Sequence, residues 1–296
     1  MKSRFYIVGP TAVGKSEIAA EVAWRTRAEV VSADAFQIYR GLDLLTAKPD
    51  SATRAKAPHH LIGSVPLTES MDAEKYRAAA QKIIARGGPV IVVGGTGLYV
   101  KALTHGIAKL PSANPKLRER LEGTTSAELF RSLRTFDPIG AEKIDRQNRR
   151  RLIRAVEVCL LTGKPFSEKR TEWNESVPAN GVLLERDRAE LYARINQRVE
   201  EMFAAGVVDE VGAAKKIGPT AEKTLGLREI RALIAGDISQ AECVAKIQQA
   251  TRRYAKRQLT WFRRQTNFPS LNLSAHDPAE AVELISQSAS RVFASG

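Results

Sequence analysis

An α/β fold is what this sequence predicts: a parallel sheet with flanking helices, interrupted by one inserted helical domain. Three observations predict it. Short, almost wholly apolar runs such as EVVSA and PVIVVGG alternate with helical patterns, as strands buried on both faces of a parallel sheet require. A glycine-rich turn follows the first such run and opens directly into a helix. The segment LPSANP (Leu110–Pro115) then ends the alternation, and the pattern beyond it is helical.

Taken in order, Arg4–Val8 predicts a strand, Lys15–Arg25 a helix, Ala28–Ser32 a strand, Ala73–Arg86 a helix and Pro89–Val93 a strand. Beyond the proline-containing linker, helices are predicted at Pro115–Leu121, Ser126–Thr135, Gly140–Ile144 and Arg149–Thr162. Gly163 and Pro165 stop the last of these. Gly181–Leu184 is apolar enough to be a strand returning to the sheet. Helical patterns follow at Arg188–Ala205, Val207–Lys216, Leu227–Ala235, Ser239–Phe262 and Pro278–Val292. The expected division is a core of residues 1–114 with 181–296, and an insertion of residues 115–180.

Length and composition suit a globular chain: 296 residues, 43% hydrophobic and 27% charged. The net charge of +13 favours a polyanionic partner, although charge alone is equally compatible with a merely basic soluble protein. Cys159 and Cys243 each lie in an apolar helical pattern, which reads as buried thiols of a reducing compartment. The N-terminal residues run straight into a strand, and no apolar stretch reaches the ~18 residues that span a membrane. The expectation is a cytoplasmic protein without a membrane partner. Nothing in the sequence demands more than a monomer.

Residues Gly9, Pro10, Thr11, Ala12, Val13, Gly14, Lys15 and Ser16 spell GPTAVGKS, the full G-x-x-x-x-G-K-[ST] phosphate loop. The glycines let successive backbone N–H groups face phosphate oxygens, Lys15 adds a mobile charge, and the Ser16 hydroxyl can ligate Mg²⁺. With a strand before it and a helix after it, the loop makes the sheet P-loop NTPase-like and adds the helix N-terminus to the anion site. A nucleotide-hydrolysing site would place a carboxylate after the strand at Val90–Val93. GGTGLY (Gly94–Tyr99) stands there instead. The nearest strand-terminal carboxylate is Asp34, after EVVSA, placed to serve a metal, to act as a general base, or to order its own loop. Gln37 offers both a donor and an acceptor, as reading a base edge requires. Tyr39 could stack or fill core, and Thr46 and Lys48 add polar groups before Pro49. His59 and His60 lack metal-ligand spacing.

Basic residues concentrate in two segments. Arg146, Arg149, Arg150, Arg151 and Arg154 fall within Asp145–Arg154. TRRYAKRQLTWFRR (Thr251–Arg264) carries no acid, places Arg253, Arg257 and Arg264 on one helical side, and interleaves Tyr254, Trp261 and Phe262. Cations with aromatic surface suit a structured RNA; core aromatics on an exposed basic helix would look the same.

Together these blocks resemble one family, the bacterial tRNA dimethylallyltransferases (tRNA isopentenyltransferases). The similarity rests on GPTAVGKS, SAD..Q.YRG.D..TAKP, HHLI at His59–Ile62, GGTGLYVKAL at Gly94–Leu103, RRLIRAVEV at Arg150–Val158 and AKRQLTWFR at Ala255–Arg263, in register over residues 4–264. The resemblance implies transfer of a dimethylallyl group from dimethylallyl diphosphate, held with Mg²⁺ at the loop, to N6 of adenine 37 in tRNAs reading codons that begin with U. It implies that Asp34 takes the amine proton, that Thr96 lies by the reacting groups, and that Lys15 and Thr11 complete the catalytic set. By the same resemblance the anticodon stem-loop of tRNA would meet Asp34, Ala35, Phe36, Gln37, Thr96 and Arg118. It would also meet Arg150, Arg151, Leu152, Ile153 and Arg154, then Lys223, Thr224, Leu225, Gly226, Leu227 and Arg228. The last block is Lys256, Arg257, Gln258, Leu259, Thr260, Trp261, Phe262 and Arg263, and the helical insertion would close over the stem-loop. Three positions depart from the family pattern: Ala35 where serine is common, Gly63 where aspartate is usual, and Leu227 where an aromatic is usual.

Three rival readings remain at this level. An adenylate prenyltransferase acting on free AMP or ATP would not need so basic a surface. A P-loop kinase would want the carboxylate that is missing after Val93. A non-catalytic RNA-binding protein would not need Lys15, Ser16 and Asp34 intact.

Overall fold

The computed structural model describes residues 4–108, 110–170 and 180–295. The chain divides into two compact units, Met1–Thr104 with Pro178–Gly296, and His105–Val177. Residues 171–179, the stretch of the expected insertion just before its far edge at Asn180, lie outside the described ones.

The first unit is built on a six-stranded, wholly parallel sheet: β1 (Arg4–Val8), β2 (Glu29–Ser32), β3 (His59–His60), β4 (Val90–Gly94), β5 (Gly181–Glu185) and β6 (Ser270–Asn272), in the spatial order β3-β2-β4-β1-β5-β6. The helices preceding the insertion are α1 (Lys15–Thr26), α2 (Ser51–Ala55), α3 (Ala73–Ile84) and α4 (Gly97–Thr104). The second unit holds α5 (Pro115–Gly123), α6 (Ser126–Phe136), α7 (Pro138–Lys143), α8 (Arg149–Thr162) and α9 (Phe166–Arg170). After β5 come α10 (Arg188–Ala204), α11 (Val207–Ala213), a short 3-10 turn at Ala221–Lys223, α12 (Leu227–Ile234), α13 (Gln240–Gln265) and, beyond β6, α14 (Pro278–Ala294).

The apolar runs became the central strands because both faces of the sheet are covered. One face buries Phe5, Ile7, Val30 and Ile91 against α1 and α14; the other buries Tyr6, Val8, Val31 and Val92 with Tyr76, Val100 and Phe262. Each fully buried side chain of this size contributes about 2 kcal/mol of transfer free energy. From β1 the chain crosses through α1 to β2, two positions away, and returns later to insert β4 between them; β5 then adds on the other side of β1. In such a sheet the crevice for ligands opens at the carboxyl ends of the strands around the point where the order reverses.

The predicted helices recur with small shifts at their ends. Val207–Lys216 stops short, at Ala213. Six short elements are additional: the edge strands β3 and β6, of two and three residues, the helices α2, α4 and α9, and the 3-10 turn at Ala221–Lys223. Ser239 and Glu242 close a capping box that starts α13, and Gly163 at φ +65° ends α8.

Within the helical unit, α6 and α8 pack Leu129 and Leu133 against Leu152, Ile153 and Val156. Leu152 and Ile153, expected among RNA-contacting residues, are buried there and present no side chain to a partner. Among the described residues no helix is long and apolar enough to cross a membrane. Both cysteines are buried free thiols.

Candidate functional site

Four strand ends bring the site together. β1 runs into the phosphate loop, β2 into Asp34, β4 into Gly94–Thr96 and β5 into Arg186; Val8 lies level with Gly94 on one side and Leu183 on the other. The loop's shape depends on its glycines. Gly9 has φ +155° and a Cβ there would fall 2.5 Å from the Leu184 carbonyl oxygen, while Gly14 has φ +102° as it leads into α1.

Cations surround the loop. Lys15 Nζ donates to the Pro10 carbonyl at 2.5 Å. Burial lowers its pKa to about 8, an effect opposed by Asp34 and reinforced by Arg198. Arg186 Nε donates to Val13 O at 3.0 Å and Arg194 Nε to Ala12 O at 2.9 Å. Arg198 reaches Thr11 Oγ1 at 3.3 Å and Ala47 O at 3.4 Å; burial draws its guanidinium below the usual value, against the pull of Glu17 and Asp34. The sequence reading missed Arg186, Arg194 and Arg198. A signal existed, an arginine pair spaced by one helical turn just after a strand that returns to the sheet, but that spacing also describes any solvated helix face.

Asp34 performs the loop-ordering role and keeps an oxygen in reserve. Its Oδ1 accepts from the amides of Phe36 at 2.9 Å and Gln37 at 3.2 Å, while Oδ2 accepts no hydrogen bond from the described residues. Asp34, Thr11, Lys15, Ser16, Phe36 and Gln37 all line one cavity of about 560 Å³, which continues past Thr46, Arg198, Thr224, Leu225 and Tyr254. Thr96 stands beside it. Its Oγ1 accepts from the Ala35 amide at 2.9 Å and its own amide donates to Ala33 O at 3.1 Å, so β2 and β4 hold their loops in contact.

Gln37 spends its side-chain amide on the protein, donating to Ala47 O at 2.9 Å and Thr46 O at 3.3 Å. Lys48 likewise donates to the carbonyls of Tyr39 and Gly41 and to Asp43, pinning this loop from within. Glu210 of α11 pins it from below, accepting from the amides of Leu44 and Leu45 at 2.8 and 2.9 Å. The departures from the family pattern also find places. A Cβ at Gly63 would point 3.7 Å from Lys48 Nζ, whose charge Asp43 takes up instead. Leu227 is fully buried in a core with Leu42, Leu45 and Ile247, so that change lies in packing.

The remaining expected RNA-contacting residues separate by burial. Lys223, Arg228, Lys256, Arg257, Thr260 and Arg263 are exposed, while Gly226, Gln258 and Phe262 are buried and Leu259 and Trp261 partly so. Phe262 therefore offers no aromatic surface. Arg263 is held bidentate by Glu185 at 2.9 and 2.6 Å, and Arg257 lies over the Tyr254 ring. In the helical unit Arg150 and Arg151 are exposed. Arg118 and Arg154 instead grip Glu157, which has no exposed side-chain surface, at distances down to 2.6 Å, and the Asn114 amide adds a third donor. Burial alone would push the Glu157 carboxyl up; these hydrogen bonds outweigh it and hold it below the ordinary glutamate value. Arg149 caps the ends of its neighbours, donating to the carbonyls of Glu122 and Thr124 at 2.6 Å each.

As a metal site, the loop offers the Ser16 hydroxyl and no clustered ligands; no group of three or more His, Cys, Asp or Glu is gathered for a metal ion among the described residues. That donor set fits Mg²⁺, which keeps most of its water and takes one or two protein oxygens alongside substrate phosphates.

A family model described as IPP transferase matches residues 37–265. The tRNA dimethylallyltransferase of Akkermansia muciniphila is 39% identical over 281 residues, covering 94% of this chain and 96% of that relative. The one from Geobacter sulfurreducens is 42% identical over 281 residues, covering 89% and 90%. Among solved structures, the full-length tRNA isopentenylpyrophosphate transferase of Bacillus halodurans superposes with a TM-score of 0.71 at 32% identity, over 99% of this chain and 98% of that one. With its parallel sheet, phosphate loop and strand-end acid, and with likeness running nearly end to end along these relatives, the chain belongs to the IPP transferase family.

Proposed function

We propose that this chain is a tRNA dimethylallyltransferase, moving the dimethylallyl group of dimethylallyl diphosphate onto N6 of adenine 37 in tRNAs that read codons beginning with U. The observation that carries the reading is the convergence of the phosphate loop, its surrounding cations and Asp34 on one cavity at the carboxyl edge of the sheet. A diphosphate is a poor leaving group unless its charge is shared, and Lys15, Arg198 and the amides at the start of α1 are placed to share it. When Mg²⁺ is bound through Ser16, it neutralises further charge on the same group.

The bond changes follow from this arrangement. The N6 lone pair attacks the allylic carbon, the carbon–oxygen bond breaks, and its electrons leave with the diphosphate. The amine is weakly nucleophilic, so removal of its proton as the new bond forms is needed, and Asp34 Oδ2 is the acceptor. Thr96, tied to the Ala35 amide, holds the wall on which the base is seated. Adenine must leave its stack to enter such a cavity. The exposed cations Lys256, Arg257, Arg150 and Arg151 meet the backbone of the anticodon stem-loop. The protein works as a monomer in the reducing cytoplasm, to which its buried thiols are suited.

The test is transfer of label from radiolabelled dimethylallyl diphosphate, with Mg²⁺, to unmodified tRNA or to AMP, with ATP turnover followed in parallel. Label in tRNA alone is expected. Label in AMP alone, or rapid ATP hydrolysis, overturns the reading.

A further inference from the structure

One face of α13 is fitted residue by residue to the turn after β4. Tyr254 lies beside Thr96 and Gln258, Gln258 Nε2 donates to Gly95 O at 2.9 Å, and the Trp261 ring lies against Gly97. Residues 254, 258 and 261 are spaced to share one helical face. The fit is close enough to dictate glycine: a Cβ on Gly95 would lie 2.2 Å from Gln258 Nε2, and one on Gly97 would lie 2.3 Å from the Trp261 ring. The other end of Gln258 faces the phosphate loop, where Oε1 accepts from the Thr11 amide at 2.9 Å. Gln258 is only 6% exposed and fills both hydrogen-bonding ends of its amide with backbone from two different strand ends.

We propose that Gln258 is a positioning residue, a buried strut that fixes the phosphate loop against the Thr96 turn and so sets the loop's shape for diphosphate. Its amide is committed to the two loops. This parts it from Lys256, Arg257 and Thr260, its exposed neighbours on the same helix. A glutamine suits the task because a single planar group supplies one donor and one acceptor, and the two loops present a carbonyl and an amide respectively. The proposal rests on the reading above only in taking the loop's ligand to be a diphosphate.

The test compares wild type with Gln258→Leu, which keeps the bulk and loses both hydrogen bonds, and Gln258→Asn, which stays polar but is one methylene too short to span both loops. Binding of inorganic diphosphate with Mg²⁺ is measured by calorimetry, binding of unmodified tRNA by filter retention, and the donor KM and kcat in the transfer assay. Both variants are expected to bind diphosphate about tenfold more weakly and to raise the donor KM by a similar factor, with tRNA affinity unchanged within about twofold. Unchanged diphosphate affinity overturns the inference. So does a loss that falls on tRNA affinity, or an equal loss of both. Failure of the wild type to transfer label to tRNA is a different result and counts against the proposed function alone.

Discussion

Arg198 Nη1 lies 3.3 Å from Thr11 Oγ1, which sets a cation from α10 at the rim of a loop formed between β1 and α1. The pairing couples elements that are 187 residues apart in the chain. Arg198→Ala is expected to raise the donor KM and weaken inorganic diphosphate binding by roughly thirtyfold or more, the scale of a lost charge-assisted hydrogen bond. Calorimetry with diphosphate checks this, and an affinity equal to wild type would remove Arg198 from the site.

Asp34→Asn keeps an oxygen for the Phe36 and Gln37 amides and loses the basic carboxylate. Transfer is expected to fall by about a thousandfold while diphosphate and tRNA binding change little. Single-turnover rates at saturating substrates measure it directly. A rate within tenfold of wild type would show that the proton leaves by another route.

Glu157 ties α5 to α8 through Arg118, Arg154 and the Asn114 amide. Its carboxyl is held below the ordinary value, so its contribution is present above the unfolded-state pKa and is lost as pH falls through the lower folded-state one. The helical unit should therefore loosen at acidic pH. Glu157→Gln should lower stability by about 3 kcal/mol at neutral pH and flatten the acid limb, because two arginines lose their buried counter-charge. Urea unfolding of the full chain at several pH values would settle it; an acid limb identical in the two proteins would refute the assignment.

Arg150 and Arg151 are exposed on α8, whereas Arg154 is committed to Glu157 and the Pro111 carbonyl. Replacing the first two by alanine should reduce the slope of log K against log salt for tRNA by about 1 to 2. Replacing Arg154 should instead cost stability. If the double variant kept the wild-type slope, the RNA would not cross this face.

Much of this architecture is legible before any coordinates. The runs at Arg4–Val8, Glu29–Ser32, Val90–Gly94 and Gly181–Glu185 are apolar because the sheet is covered on both faces, and local pattern suffices to find them. β3 and β6 escape because two or three residues carry no periodicity; only pairing, Val30 with His59 and Leu184 with Leu271, makes them strands. At the site, Gly9–Ser16 and Asp34 are legible because a phosphate loop and a strand-terminal acid are local devices. Arg186, Arg194 and Arg198 are not, since their partners Val13, Ala12 and Thr11 lie far away in sequence. Gln258 misleads for the opposite reason. It sits within an exposed, basic segment but points inward, and Leu152, Ile153 and Phe262 do the same, because a helix half in the core mixes the two kinds of residue along one stretch of chain.

Helix α13 shows one side to solvent with Lys256, Arg257 and Thr260 and the other to the phosphate loop and the Thr96 turn. A rigid rod placed in that way cannot be loosened on one side alone. Its backbone amides between Tyr254 and Phe262 should therefore act as a single reporter, slowing their hydrogen exchange when either the donor or the nucleic acid is bound. Exchange along this one stretch would distinguish the empty enzyme from each loaded state without any label on a substrate.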